Sequence, residues 1–283
     1  VMLGTVEPGG IVYDSALPAP YIAVFAAGGV TAVLPAGYDR IGAIAGTNVP
    51  FGISVEQLRG HHLAILGMSG MGKSTIARKI IDLLSAASVV VALDGTGEYR
   101  SRFAMPTWND SIGLTTTGAW VHEPGGVQAQ KAAEFIDQVM TVANGEYAAG
   151  TPLNRTVLLE EAHSYLPEWN FVAARGESDY VARSCRYILQ ARKFGLSFVL
   201  VSQRTAVISK SALSQCESYI VLRTLDETSL QYIEGVLGRE FRDTVASLSR
   251  YQAVCVGPAF STATPVVVNL DPHRGSSGVA GAP

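Results

Sequence analysis

Charged residues are scarce in this sequence. Asp, Glu, Lys and Arg make up 16% of the 283 residues and apolar residues 48%, whereas globular domains average about 25% charged residues. A chain of this length and composition can bury a full hydrophobic core, which argues against an intrinsically disordered protein. The net charge of −3 gives no overall basic field, which argues against a protein that passively coats nucleic acid but leaves room for a locally basic channel.

Cysteine is scarce as well. Cys185, Cys216 and Cys255 are odd in number and far apart, and the sequence contains no Cys-x-x-Cys pair. We therefore expect neither a disulfide framework nor a cysteine-based zinc site. A reducing compartment, the cytoplasm, is the expected location, because the first residues lack the basic and apolar segments of a secretory signal.

The sequence has no uninterrupted apolar run of membrane-spanning length. Residues 15–38 carry no charge, but three prolines and Gly28-Gly29 interrupt them. A spanning helix needs about 20 continuous apolar residues, so we predict no membrane segment. Residues 21–27 and 30–35 instead predict a β-hairpin, because Gly-Gly suits a two-residue turn.

Alternating strand and helix signals begin near residue 48. Short apolar runs predict buried strands at 63–66, 89–93, 156–159, 196–201, 219–222, 253–256 and 266–269. Helical patterns occur at 73–86, 128–143 and 177–194, and a further helix follows Asp226. The alternation predicts an α/β domain with a mostly parallel sheet that is covered on both faces.

The composition and these patterns together predict three regions of the chain. Residues 1–46 form a short β-rich amino-terminal segment, residues 47–271 form the α/β domain, and residues 272–283 form a disordered tail rich in Gly, Ser and Ala.

A phosphate-binding loop lies between the first predicted strand and helix of the α/β domain. Its sequence fits the pattern GxxxxGK[ST] and reads Gly67-Met68-Ser69-Gly70-Met71-Gly72-Lys73-Ser74. In such a loop, backbone N–H groups and the helix N-terminus surround phosphate oxygens. We predict that Lys73 pairs with the β- and γ-phosphates, that Ser74 binds Mg²⁺ and that Thr75 lies near the α-phosphate.

A pair of carboxylates follows the strand predicted at 156–159. Ligands of open α/β sheets bind at this carboxyl end of the strands. We assign Glu160 to Mg²⁺ and Glu161 to the water that attacks the phosphate. His163 is either a sensor of the γ-phosphate or a partner of the carboxylates, or else a histidine at the start of a helix that is hydrogen-bonded to backbone.

Other polar side chains are candidates for contact with phosphate. Gln203 ends a buried strand and is a candidate sensor of the γ-phosphate. Arg192 continues the apolar face of the helix predicted at 177–194, so we expect it to face an anion. Arg100 and Arg102 follow the second strand and are candidate DNA-channel residues.

Taken in order, these segments resemble the HerA-type ATPases of the HerA/FtsK superfamily. The resemblance covers about residues 48–270 and is carried by residues 62–74, 93–99, 159–163, 191–195, 201–204 and 216–225. It implies a RecA-like P-loop core that binds ATP and Mg²⁺, assembles into a homo-oligomeric ring, typically a hexamer, and translocates double-stranded DNA. It also implies a nuclease or another effector protein as partner.

The resemblance supports the roles given above to Lys73, Ser74, Glu160, Glu161 and Gln203, and it implies Arg192 as a site arginine. Family members often carry a trans-acting arginine directly before the histidine that opens the first strand. This chain has His61 there, so the trans-acting residue stays open among candidates that include Arg59, Arg204 and Arg223.

Three functions are compatible with this sequence. The leading hypothesis is an ATP-driven DNA translocase. The second is a genome-packaging or conjugation motor of the same superfamily, which the compact size permits. The third is a scaffold whose ATP state controls an attached effector, which the small number of Lys and Arg residues favours.

Overall fold

The computed structural model describes residues 11–12, 24–25, 33–110, 114–171, 176–262 and 264–271. The strands within these ranges are β1 Ile11–Val12, β2 Val24–Phe25, β3 Asp39–Ile44, β4 Pro50–Ile53, β5 His62–Leu66, β6 Val89–Leu93, β7 Gly118–His122, β8 Arg155–Glu160, β9 Leu196–Ser202, β10 Cys216–Leu222, β11 Gln252–Val256 and β12 Val266–Leu270. The α-helices are α1 Val55–Leu58, α2 Lys73–Ser85, α3 Glu98–Phe103, α4 Gln128–Ala148, α5 Ala162–Tyr165, α6 Glu177–Gln190, α7 Lys210–Leu213, α8 Glu227–Leu237 and α9 Arg242–Ser247.

Ten of the strands form one sheet in the order β4-β3-β12-β11-β10-β5-β9-β8-β6-β7. The six strands from β10 to β7 run parallel to one another. The other four strands add to this core as antiparallel neighbours. The fold is therefore a RecA-like α/β fold, as predicted, and the antiparallel strands extend one edge of the sheet.

Helices cover both faces of the parallel strands. In β6, Val89, Val91 and Leu93 contribute to the core that contains α4 and α6, whereas Val90 and Ala92 contribute to the core that contains α2. Because successive side chains of a strand point to opposite faces, a strand buried on both sides appears as a continuous apolar run. This is why the central strands could be predicted closely.

Three strands of the sheet were not predicted. β7 pairs with the strand β6 and through Val121 bridges Thr107, and it is only partly buried, so it lacks a continuous apolar pattern. β3 and β4 pair with each other, and β3 also pairs with β12. The predicted boundary at residue 46 thus falls between two adjacent strands of the main sheet.

Helix α4 extends through Gly145 to Ala148, whereas the sequence predicted its end at residue 143. The last turn is held by Glu146, whose carboxylate accepts hydrogen bonds from both terminal nitrogens of the buried Arg155 at 2.6 and 2.8 Å. Charge-assisted bidentate pairs of this kind outweigh the weak helix propensity of one glycine.

The predictions for the amino-terminal segment and the tail fall largely outside the described residues. Val24–Phe25 pairs with Ile11–Val12, whereas the expected turn at Gly28-Gly29 and residues 272–283 are not described. Within the described ranges, no helix combines the length and the apolar character needed to cross a bilayer.

Candidate active site

The phosphate-binding loop leaves β5 between its two neighbouring strands and is hydrogen-bonded to both. Gly67 N donates to the carbonyl of Ser202 at the end of β9, and Met68 N donates to the carbonyl of Arg223 just after β10. A side chain at Gly67 would lie 2.8 Å from the Cβ of Leu222, so this close approach requires glycine. The loop then enters α2 at Gly72, whose φ of 110° also favours glycine.

Lys73 is buried at the start of α2, with 6% of its surface exposed. Its Nζ donates to the carbonyl of Met68 within the loop at 3.2 Å. Burial lowers the pKa of Lys73, and the nearby carboxylates of Glu161, Glu160 and Glu98 oppose this effect. An ammonium group held among carboxylates at a helix N-terminus is suited to binding phosphate.

A cavity of about 280 Å³ opens over the loop. Its walls combine the glycine-rich backbone with acidic and basic side chains. The charged residues that line it are Lys73, Glu98, Arg102, Glu160, Glu161 and Arg250. The structure therefore brings the predicted Lys73, Ser74, Thr75, Glu160 and Glu161 into one pocket.

Glu160 is the last residue of β8 and is 3% exposed. The hydroxyl of the fully buried Tyr99 donates to its Oε2 at 2.8 Å. Burial raises the pKa of Glu160 to about 8, an effect that the Tyr99 hydrogen bond and Lys73 partly counteract. A cation bound beside this carboxyl group would favour its ionised form.

The residues present fit a magnesium ion. Ser74 Oγ donates to Oε2 of Glu98 at 2.8 Å, and the carboxylate of Glu160 faces the same cavity. Hydroxyl and carboxylate oxygens are the ligands that Mg²⁺ prefers. Glu98 was not predicted as part of the site.

Glu161 adopts a left-handed backbone conformation, with φ 55° and ψ 52°, between β8 and α5. The turn places its Oε2 3.2 Å from Nδ1 of His163 and 3.4 Å from the backbone N of Gln203. Burial raises the pKa of Glu161, but the hydrogen bond and charge of His163, with the charge of Lys73, outweigh burial and leave the pKa below its usual value. Glu161 is thus an oriented carboxylate that is suited to accept a proton from water.

The Asp94–Tyr99 turn supplies part of the pocket wall. The buried carboxylate of Asp94 accepts hydrogen bonds from the backbone N of Thr96, Gly97 and Tyr99. These bonds start α3, which carries Glu98 and Arg102. Arg102 donates to Glu98 and to Thr75 Oγ1, so it lines the pocket of its own chain, and its role in a DNA channel stays a prediction.

Gln203 and His163 lie beside the carboxylate pair. His163 Nδ1 is 3.1 Å from Ser202 Oγ as well as close to Glu161. Gln203 follows β9 and contributes to a neighbouring cavity of about 850 Å³, which Arg204 also lines. The contact between the backbone N of Gln203 and the carboxylate of Glu161 joins the ends of the adjacent strands β9 and β8.

Arg192 lies at the opposite end of the sheet from the phosphate-binding loop. Its guanidinium is 2.8 Å from Oε1 of Glu217 and 2.7 Å from Nε2 of His61. His61 precedes β5 and the loop follows β5, and five strand residues span about 16 Å. Arg192 is therefore outside the pocket of its own chain, and the anionic group that it faces there is the carboxylate of Glu217.

Three other predicted arginines, Arg59, Arg100 and Arg223, do not line the cavity over the phosphate-binding loop. Arg59 pairs with Glu56 near the amino end of β5 at 2.8 Å. Arg223 Nε donates to the carbonyl of Ala246, and Arg100 pairs with Glu123 at 3.0 Å. Arg250 was not predicted either, and it reaches the pocket from a loop with no recognisable motif.

Comparison with known proteins agrees with this geometry. Residues 39–157 match the family model described as the central domain of the helicase HerA. The chain is 28% identical over 155 residues to the DNA double-strand break repair helicase HerA of Pyrococcus furiosus, which covers 53% of this chain and 27% of that protein. The chain thus spans about a quarter of the length of this relative.

Solved structures share the fold at low sequence identity. The DNA-packaging ATPase B204 of Sulfolobus turreted icosahedral virus superimposes with a TM-score of 0.57 and 16% identity, covering 76% of this chain and 98% of B204. The conjugation coupling protein TcpA of pCW3, solved with an ATP analogue, superimposes with a TM-score of 0.61 and 14% identity, covering 85% of this chain and 67% of the TcpA chain.

Proposed function

We propose that this chain, a HerA-type ATPase of the HerA/FtsK superfamily, couples ATP hydrolysis to the movement of double-stranded DNA. One observation carries the proposal: Lys73 and Ser74 of the phosphate-binding loop share a pocket with Glu160 and Glu161. A loop that binds phosphates, oxygen ligands for a metal ion and a carboxylate that can activate water are the parts that phosphoryl transfer to water requires. The family match of residues 39–157 supports DNA as the second substrate.

Each pocket residue has a defined role in this proposal. Lys73 and the loop amides bind the β- and γ-phosphates, and Ser74 and Glu160 hold Mg²⁺, which neutralises phosphate charge when bound. Glu161 orients the attacking water and accepts its proton. Gln203, whose backbone N contacts Glu161, is the candidate sensor of the γ-phosphate.

The site is completed by a neighbouring copy of the chain. Phosphoryl-transfer sites commonly use an arginine to stabilise transition-state charge, either in cis or in trans. Arg192 is 54% exposed at the amino end of the parallel strands, away from its own pocket, so we propose that it acts on the pocket of the next subunit. This requires a homo-oligomer, for which a hexameric ring is the leading form.

Partners other than DNA also belong to the proposal. A nuclease or another effector protein would use the DNA movement. The cytoplasm is the proposed location, because the three scattered cysteines do not indicate an oxidising compartment.

Packaging or conjugation is the second candidate function. It is favoured by the fold shared with B204 and TcpA, which are named for those processes.

The proposal is tested by steady-state ATP hydrolysis with and without duplex DNA. We expect hydrolysis that duplex DNA stimulates, and we expect Glu161→Gln to abolish it while ATP binding is retained. Hydrolysis that ignores DNA but changes when a partner protein is added would instead indicate an ATP-gated scaffold. Hydrolysis that survives Glu161→Gln would contradict the assignment of Glu161.

A further inference from the structure

Arg250 lies in a loop that the structure holds against the phosphate-binding loop. The next residue, Tyr251, donates its backbone N–H to the carbonyl of Met71 at 3.0 Å. Its ring lies so close to Gly72 that a Cβ there would be 2.6 Å from the ring. The backbone oxygen of Tyr251 accepts from the N–H of Leu270, so the loop is fixed on both sides.

The backbone of Tyr251 has a left-handed conformation, with φ 62°. Residues other than glycine rarely adopt it, and a bulky side chain does so only where its surroundings hold it. Here the contacts with Met71, Gly72 and Leu270 supply that restraint. The consequence is that Arg250 reaches the cavity over the phosphate-binding loop.

The guanidinium of Arg250 is positioned by the same tyrosine. Its Nη2 donates to the Tyr251 hydroxyl at 3.1 Å, and its Cζ lies 4.8 Å from the centre of the Tyr251 ring. Within the described residues, no carboxylate lies within 4.0 Å of its nitrogens. By contrast, Arg102, the other arginine of this cavity, is paired with Glu98.

The charges of the cavity indicate what Arg250 would bind. Lys73, Arg102 and Arg250 face Glu98, Glu160 and Glu161, so the cavity walls alone have no excess positive charge when all six groups are ionised. A nucleoside triphosphate brings several further negative charges. Arg250 is the arginine of this set that has no carboxylate partner among the described residues, and guanidinium groups match phosphate oxygens well.

We propose that Arg250 binds the phosphate chain of the nucleotide in its own subunit, with Tyr251 as the residue that positions it. This inference rests on the proposed ATP-binding function and adds a binding residue to it.

The test measures the Kd of a fluorescent ATP analogue, mant-ATP, with Mg²⁺ and without DNA. We expect Arg250→Ala to raise the Kd about tenfold, since hydrogen bonds to charged groups contribute in this range. Arg250→Lys should restore part of the affinity because it keeps the charge. Arg239→Ala is the matched control: Arg239 is 91% exposed and lies 3.7 Å from Glu234, so its removal should leave the Kd unchanged.

Thermal unfolding separates binding from a structural role. Without nucleotide, Arg250→Ala should have the same Tm as the wild type. With ATP, its Tm should rise less than that of the wild type. If Arg250→Ala binds mant-ATP with the wild-type Kd while Lys73→Ala loses binding, the inference is wrong and the proposed function stands. If the wild type itself binds no ATP, the proposed function fails and the inference fails with it.

Discussion

The backbone of Glu161 gives a prediction that links stability to catalysis. Its φ of 55° and ψ of 52° lie in the left-handed region, which costs an L-residue about 1–2 kcal/mol. Glycine has no such cost, but it loses about 0.5–1 kcal/mol more chain entropy on folding. We therefore expect Glu161→Gly to be more stable than Glu161→Ala by about 0.5–1 kcal/mol.

The comparison uses two variants that lack the same carboxylate, so the lost contacts with His163 and Gln203 cancel. For a chain of this size, 1 kcal/mol shifts the Tm by about 2–4 °C. Thermal unfolding followed by circular dichroism, without nucleotide, should resolve this difference. Both variants should lose ATP hydrolysis, because neither can accept the proton from water.

Ala104 provides the control for strain alone. It ends α3 with φ 49° and ψ 36° and is exposed to solvent. Ala104→Gly should raise the Tm by a similar amount and keep hydrolysis. If Glu161→Ala is as stable as Glu161→Gly while Ala104→Gly gains stability, the left-handed turn at Glu161 does not exist in solution and the account of how this carboxylate is aimed is refuted.

Two further predictions concern the phosphate-binding loop and the subunit contact. Gly70 and Gly72 both have positive φ, but a Cβ at Gly70 meets nothing within 4 Å, whereas one at Gly72 collides with the Tyr251 ring. Gly72→Ala should therefore weaken mant-ATP binding and lower the Tm more than Gly70→Ala, and equal effects would show that Tyr251 does not pack on the loop. If Arg192 acts in trans, the Arg192→Ala and Glu161→Gln variants should each lack hydrolysis alone. A mixture should regain part of it, because some subunit interfaces then combine the intact Glu161 of one variant with the intact Arg192 of the other. Mixtures that stay inactive would count against this role.

The parts of the site that could be predicted from sequence are those that depend on neighbours along the chain. The conformation of the loop from Gly67 to Ser74 depends on the loop's own residues, and Glu160 and Glu161 lie at the end of an apolar strand. Because β5 and β8 are both neighbours of β9 in a parallel sheet, their carboxyl ends had to meet at one edge. The pattern therefore implied the shared pocket.

Arg192 shows why a helical pattern can mislead. The prediction continued the periodicity of α6 through Arg192, but the α-helix ends at Gln190 and the chain continues as a 3₁₀ turn, Ala191–Phe194. The tighter turn changes the angular spacing of side chains, and the guanidinium instead meets Glu217 and His61.

Glu98, Tyr99 and Arg250 could not be assigned from sequence for a different reason. Glu98 reaches the pocket, and the buried Tyr99 reaches Glu160, through a turn that the buried carboxylate of Asp94 organises. Arg250 arrives from a loop whose position depends on the pairing of β11 with β10 and β12. Residues 93–99 form one of the segments that resemble the family, but that segment by itself assigns no role to Glu98 or Tyr99. The loop of Arg250 has no periodic or motif signal, because its position depends on contacts between distant segments.

The central claim, that hydrolysis in this pocket moves duplex DNA, is tested most directly by triplex displacement. A labelled third strand is annealed to a duplex, and its release is followed after ATP is added to the wild type or to Glu161→Gln. The account predicts release that requires both ATP and the wild-type carboxylate. Steady ATP hydrolysis by the wild type on this substrate, with the third strand retained, would contradict it.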